Sequence, residues 1–457
     1  MKKRDLLELK IEEVEFPSKG IAYHEGKPVY IKNALPGQTV KVMINKVRED
    51  YAEGKVQEII ERSPVEQESF CAHYGICGGC AHQTLTYEKQ LEMKEEQVKR
   101  LLGAAGIEDY TFLGIEGSPE EFAYRNKMEY SFGDAERGGE LTLGMHEKGK
   151  FNSVVTVDQC KIADEDFNQI LRTTLEYFKN KGVSKYNSKS HEGYLRHFII
   201  RKAKRTGETL VNIVTSTQIQ FDMDEWVKLI KELDLEGKLV GILHTFNDNI
   251  SDVVISERTD ILWGQDYFTE EILGLRFKIS AFSFFQTNSL GAEKLYSMVL
   301  DFMGNADNKT IFDLYSGTGT IGQIVAKKAK KVIGIELIEE AVEAANKNAK
   351  MNGLDNCTFL AGDVLKKIDE LKAKPDIIIL DPPRVGVHPK ALQKIMRYKA
   401  PEIIYVSCNP KTLAENLKDA QQAGYRVDKV KVMDMFPHTP HVETVVLMSR
   451  VKVNTMF

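Results

Sequence analysis

No apolar stretch of this chain approaches the roughly 20 residues that a membrane-crossing helix needs, so no membrane association is expected. Cysteine is scarce, six in 457 residues. That is too few for a fold stapled by disulfides and better suits thiols that serve a metal or a reaction. The opening residues Met1-Lys2-Lys3-Arg4-Asp5 are charged with no apolar segment behind them. A secretory signal is therefore not expected, and the cytoplasm is the expected setting. There is no internal repeat and no low-complexity tract. Nor is there a large excess of one charge: 62 basic residues against 67 acidic ones leave a net charge of −5, which excludes a chain that binds polyanions by bulk charge. The remaining composition is that of a globular protein long enough for two or three domains.

Residues 1 to about 60 alternate apolar and polar positions in short runs, as in Val29-Tyr30-Ile31 and Val40-Lys41-Val42-Met43-Ile44, with turns at Glu25-Gly26-Lys27 and Leu35-Pro36-Gly37. This predicts a small β-barrel, near neutral, so that charge alone does not show RNA binding. Residues 85 to 102 carry Leu85, Leu91, Val98, Leu101 and Leu102 at helical spacing before Gly103. From about 122 to 275 the pattern is mixed, with a helix expected over 164–179 and a strand over 209–214. From about 280 strands and helices alternate. Strands are expected at 310–314, 331–336, 357–361, 377–380, 403–406, 427–433 and 442–448, the last two as an antiparallel hairpin. The fold class is α/β: a doubly wound, Rossmann-like C-terminal domain (280–457) with an added edge strand, a small N-terminal barrel (1–60), and an α+β central domain (61–279) whose helix 85–102 packs on the C-terminal one. Lys181, Lys185, Lys189, Arg196, Arg201, Lys202, Lys204 and Arg205, interleaved with Tyr186, Tyr194 and Phe198, suit either a nucleic-acid surface or a solvated basic hairpin.

Cys71, Cys77 and Cys80 fall within ten residues, and Cys160 stands alone further on. Four thiolates could hold a [4Fe–4S] cluster or zinc. One close triplet plus a distant ligand favours the cluster, while His73 and His82 keep zinc open.

Asp313-Leu314-Tyr315-Ser316-Gly317-Thr318-Gly319 runs from a strand into a helix. The glycine spacing also fits a dinucleotide site. Asp313, however, opposes a pyrophosphate at the helix N-terminus and suits the positive sulfonium and amino groups of S-adenosylmethionine. Gly317 lets the loop approach that donor. Glu336, ending the next strand, suits its ribose hydroxyls. Asp363 is read either as an adenine contact or as a helix N-cap. Asp381, before Pro382-Pro383-Arg384, ends the fourth strand where ligands bind.

Cys408 follows the apolar run Ile403 to Val406. A thiol beside a methyl donor points to carbon as the acceptor. The C5 carbon of a pyrimidine is unreactive until a nucleophile adds at C6, whereas an amine or hydroxyl needs no such help. The proton on C5 must then leave. Glu443, at the start of the last strand, is the candidate base, with His438 and His441 of the same loop as alternatives.

Together these residues resemble the RNA 5-methyluridine methyltransferases, especially the bacterial 23S ribosomal RNA uracil-C5 members. The resemblance implies that the barrel is a TRAM domain that binds RNA and that Cys71, Cys77, Cys80 and Cys160 hold a [4Fe–4S] cluster. It implies that Gln286, Tyr315, Glu336 and Asp381 contact S-adenosylmethionine, that Cys408 is the nucleophile and that Glu443 accepts the proton. Tyr124-Arg125-Asn126-Lys127 resembles a central-domain motif of the family. The implied partner is 23S rRNA, bound by a monomer. Because the transfer-RNA branch commonly lacks barrel and cluster, their presence favours ribosomal RNA. A tRNA substrate, a cytosine-C5 reaction and a non-catalytic RNA-binding or chaperone role are the alternatives.

Overall fold

The computed structural model describes residues 1–150, 152–251 and 257–451; the last six residues of the expected third domain lie outside them. Leu6–Lys10 (β1), Glu13–Glu15 (β2), Lys19–His24 (β3), Lys27–Lys32 (β4), Thr39–Val47 (β5) and Ala52–Glu61 (β6) form one barrel-like sheet in the order β1-β5-β6-β4-β3-β2. In β5, Val40, Val42 and Ile44 are buried and alternate with Thr39, Lys41 and Met43. This is the period-two pattern of a strand with one dry face. Val29, Ile31 and Ala22 complete that small core.

The cysteine-bearing segment leads into helix Tyr87–Ala104 (α1) and strand Thr111–Glu116 (β7). A seven-stranded sheet follows: Lys127–Gly133 (β8), Thr142–His146 (β9), Val154–Thr156 (β10), Leu195–Lys202 (β11), Glu208–Thr215 (β12), Lys238–Phe246 (β13) and Arg258–Gly264 (β14). Helices Glu165–Asn180 (α2) and Asp224–Lys231 (α3) belong to this unit. Asp164 caps α2 by accepting from Asp166 N–H. Phe167, Ile170, Leu171 and Phe178 of α2 pack with Tyr130, Phe198 and Trp226.

Hairpin Tyr267–Ile272 (β15) and Leu275–Ser280 (β16) precedes helix Ser289–Met303 (α4). The chain then alternates through Ala306–Leu314 (β17), Thr320–Ala326 (α5), Ala329–Glu336 (β18), Glu339–Met351 (α6), Cys357–Ala361 (β19), Val364–Lys367 (α7), Ile377–Leu380 (β20), Pro389–Arg397 (α8), Glu402–Ser407 (β21), Pro410–Gln422 (α9), Tyr425–Met433 (β22) and Glu443–Arg450 (β23). The sheet order is β19-β18-β17-β20-β21-β23-β22-β7. Continuous apolar runs such as Ile377–Leu380 are what parallel strands buried on both faces require. Ile377 and Ile379 join one core with α4 and α5, and Ile378 and Leu380 join the other with α1, α8 and α9.

Two expectations are corrected. The last hairpin does not add an edge strand: β23 inserts antiparallel between β21 and β22, and the edge is β7, parallel to β22. The segment 87–116, expected in the central domain, thus completes this sheet and its core. Most cations of the basic segment 181–205 have internal partners, while Lys189 is exposed. Lys181, Lys185, Lys202, Lys204 and Arg205 are paired with Glu225, Asp134, Asp164 and Asp166, Glu120, and Glu293. Arg196 and Arg201 are buried and donate to backbone carbonyls of Asn247 and Ser283. Strand β11 is buried along its whole length, so its cations are matched internally, as buried charge must be.

Candidate active site and cysteine centre

The parallel strands β17 to β21 all end at one edge. Leu314 pairs with both Ile335 and Leu380, Glu336 with Ala361, and Leu380 with Tyr405. Tyr315, Glu336, Asp363, Asp381 and Cys408 therefore leave the sheet together, where open α/β sheets bind ligands. Asp313 is fully buried with no side-chain hydrogen-bond partner, and the Gly322 backbone N–H at the start of α5 faces its carboxylate. Burial, and then the nearby Asp381 carboxylate, push it up to about 7. Burial raises Asp381 to about 7 as well. Ser316 Oγ is likewise buried and unpartnered. Tyr315 holds φ at 65°, and Gly319 at 71°. A Cβ on Gly319 would lie 2.5 Å from the Phe359 ring, so this turn needs glycine. Glu336 steadies the loop, accepting from Gly317 N–H at 2.9 Å and from Ile338 N–H at 3.0 Å.

Asp363 caps α7, accepting from Leu365 N–H at 2.7 Å. Gln286 lies in the loop before α4, but Asn288 caps that helix by accepting from Gly291 N–H. Asn126 holds this loop: its Nδ2 donates to Gln286 O at 3.0 Å and to Ser289 Oγ at 2.8 Å. Nothing in the sequence around Asn126 signals this contact, which spans 160 residues. Two neighbouring carboxylates, both raised by desolvation, suit a cationic ligand and oppose a pyrophosphate. These residues fit S-adenosylmethionine.

Antiparallel pairing of β21 with β23 places Ser407 opposite Thr444. One further step along the same register sets Cys408 opposite Glu443. Glu443 is buried; desolvation and then Asp381 push it well above the carboxylate range, and Arg384 opposes this. The half-buried Cys408 thiol is raised to about 11 by burial first, then by Glu443 and Asp381, again with Arg384 pulling the other way. Arg384 was missed in the sequence. Its only signal is its place after Asp381-Pro382-Pro383, which has meaning once Cys408 and Glu443 are seen beside it. His438, the alternative base, is buried, stacks on Phe122 at 4.7 Å, and contacts Gln90 Nε2 through Nδ1 at 3.1 Å.

Cys71, Cys77, Cys80 and Cys160 line one cavity of about 420 Å³, and all four are free thiols. Gly79 N–H donates to Cys77 Sγ at 3.3 Å. Burial raises the thiols of Cys77, Cys80 (to about 12) and Cys160 (to about 11). Cationic iron is the compensation that would release their protons. Among the described residues no three His, Cys, Asp or Glu side chains gather around a single-ion site; the thiols instead ring a wider space. His82 is turned to Ser18 Oγ at 3.0 Å, and His73 Nε2 accepts from Gln159 N–H and faces Asp158. His82 is thus engaged elsewhere, whereas His73 lines the same cavity beside the four thiols; the four thiols fit a four-thiolate cluster.

A doubly wound sheet with an anionic pocket at its carboxyl edge, and a thiol facing a carboxylate there, is the arrangement of a Rossmann-like methyltransferase. Comparison with known proteins gives the family. The model for tRNA (uracil-5-)-methyltransferase matches residues 86–364 and 361–451, and that for the TRAM domain matches residues 2–57. The chain belongs to this family of S-adenosylmethionine-dependent RNA uracil-5-methyltransferases. It is 57% identical to an "uncharacterized RNA methyltransferase" of Clostridium tetani, over 98% of this chain and 99% of that one. A protein of the same description from Clostridium acetobutylicum is 56% identical, with 98% and 99% covered. The solved tRNA (uracil-54, C5)-methyltransferase of Pyrococcus abyssi, in complex with S-adenosyl-L-homocysteine, is 28% identical. It superposes with a TM-score of 0.76 over 96% of this chain and 99% of its own.

Proposed function

We propose that this enzyme methylates C5 of uridine in folded 23S rRNA, with Cys408 as nucleophile and Glu443 as base. The observation that carries the chemistry is the strand register that faces Cys408 with Glu443 at the donor edge. S-adenosylmethionine, held by Gln286, Tyr315, Glu336 and Asp381 with Asp313, Gly317 and Asp363 around them, supplies an electrophilic methyl group. Cys408 Sγ bonds to C6, and the displaced electron pair makes C5 nucleophilic. Once C5 is methylated, Glu443 takes the C5 proton, the C5–C6 double bond re-forms, and the S–C6 bond breaks to return the thiolate. A carboxylate raised by burial is a better proton acceptor near neutral pH than an exposed one. The target base must leave its stack to reach this edge.

In the same reading, Cys71, Cys77, Cys80 and Cys160 carry a [4Fe–4S] cluster, the barrel holds flanking RNA, and the enzyme works as a cytoplasmic monomer. Among the described residues no helix is long and apolar enough to cross a membrane.

The cysteine set supports ribosomal RNA. The barrel no longer separates the substrates: the Pyrococcus match leaves out only about 18 residues of this chain, too few to omit the barrel. That neighbour makes tRNA the second reading. A cytosine-C5 reaction is disfavoured because the Asp381-Pro382-Pro383 motif holds no cysteine. The test is tritium release from 23S rRNA and from tRNA transcripts labelled at uridine C5, using anaerobically purified protein. Donor-dependent release from 23S rRNA alone supports the proposal. Release from tRNA alone replaces the substrate. Methyl transfer without release would move the chemistry to another atom.

A further inference from the structure

Arg384 and His441 stand between the active site and the cysteine centre, and the covalent scheme uses neither. The Arg384 backbone is clamped by the segment that follows the nucleophile: its carbonyl accepts from Asn409 Nδ2 at 3.0 Å and from Thr412 Oγ1 at 3.3 Å. Its side chain is exposed. Among the described residues its guanidinium has one hydrogen-bonding contact, Nη2 to His441 Nδ1 at 3.4 Å. Unanchored, so long a side chain would sample many rotamers.

His441 is anchored on its far side. With Thr439 it lines the cavity of the four cysteines, and its N–H donates to Thr439 Oγ1 at 3.3 Å. The loop that carries it is pinned to the cysteine segment. Ala81 N–H and His82 N–H, immediately after Cys80, both donate to His438 O, at 2.9 and 3.0 Å. Tyr124 OH donates to Pro437 O at 3.0 Å. Contacts thus run without a gap from the cysteine segment through residues 437–441 to Arg384. The groups facing Cys408 are Glu443 from β23, Asp381 and Arg384 from the turn after β20, and Tyr405 from β21. Arg384 is the cation in that set, so its position governs how readily a thiolate forms beside two carboxylates.

We propose that His441 is a positioning residue that holds the Arg384 guanidinium over the Cys408–Glu443 pair, and that the cysteine centre sets this position through the 437–441 loop. The inference rests on Cys408 being the nucleophile, and the test separates the two. Alkylation of Cys408 is followed against pH by peptide mass mapping, on full-length, anaerobically purified protein without RNA. His441→Ala is expected to move the alkylation midpoint upward by half a pH unit or more, about threefold less thiolate at a given pH below it. Arg384→Ala should give a shift of the same sign, and the double variant no further shift. His441→Gln, which keeps an acceptor, should return most of the way. Cys160→Ser, with iron content measured alongside, should shift the profile in the same direction while S-adenosylmethionine affinity holds.

An unchanged profile in His441→Ala, or additive shifts in the double variant, overturns the positioning role. An unchanged profile in iron-depleted Cys160→Ser overturns the link to the cysteine centre. Should His441→Ala not fold, Arg384→Ala on its exposed turn decides instead, and no shift there sinks the idea. Persistent methyl transfer by enzyme alkylated at Cys408 would refute the nucleophile itself, whatever the histidine variants do.

Discussion

Cys408 and Glu443 meet because one antiparallel register continues a single residue past Ser407 and Thr444. Their chemistry predicts distinct losses. Cys408→Ala should abolish turnover while S-adenosylmethionine and RNA affinities change less than about twofold, since binding needs no S–C6 bond; isothermal titration alongside a methyl-transfer assay checks this. Glu443→Gln should stall after methylation and accumulate a protein–RNA adduct that survives denaturing electrophoresis, and no adduct would remove Glu443 as the base. Asp313 and Asp381, both raised to about 7, give a pH prediction. A cationic donor prefers ionised carboxylates, and these take up protons as pH falls through about 7. Affinity should therefore weaken from pH 8 to pH 6, by up to about tenfold per unit where one proton must be released. Asp313, Asp381 and Cys408 were legible in the sequence because each follows an apolar run. His438 was not, because its engagement with Gln90 and Phe122 joins segments more than 300 residues apart.

Among the elements, α1 is the strut of the C-terminal hairpin. Gln90 Oε1 accepts from His438 N–H at 2.8 Å, and Lys94 Nζ donates to Asp434 Oδ1 at 2.7 Å with both side chains wholly buried. Gln97 Nε2 donates to Val14 O and so reaches the barrel. The sequence showed the apolar stripe through Val98, Leu101 and Leu102. Gln90, Lys94 and Gln97 are polar and lie outside that stripe, and the structure buries all three. Burial alone lowers the Lys94 pKa, and Asp434 opposes that. Lys94→Ala would strand the Asp434 charge, so a loss of about 3–5 kcal/mol is expected in chemical denaturation. Lys94→Met with Asp434→Asn should recover much of it, because removing both charges removes the desolvation cost that one alone leaves.

At the scale of the whole molecule, the three units are joined by specific side-chain contacts. The barrel contributes Ser18, bonded to His82, and Glu15, paired with Lys411 of α9. The cysteine centre joins residues 71–80 to Cys160 of the central unit. On the proposal that these thiols hold a cluster, loss of that metal should loosen the joint. Cys80→Ser is expected to lose iron and to lower the thermal midpoint by about 5 °C or more, the size of a loss near 2 kcal/mol in a domain of 150–250 residues. An iron-free variant with an unchanged midpoint would deny the centre a structural role.

By itself, the sequence determined the order of strands and helices and the chemistry at the carboxyl ends of the parallel strands. Apolar runs, turns and caps act over a few residues, so their consequences are local and readable. Tertiary structure alone decided that β23 inserts beside β21, that β7 closes the sheet edge, that Arg384 faces Cys408 and His441, and that most cations of 181–205 meet internal partners. Those outcomes depend on which distant surfaces exclude water together, and a buried charge must then find its partner wherever the packed chain has brought one.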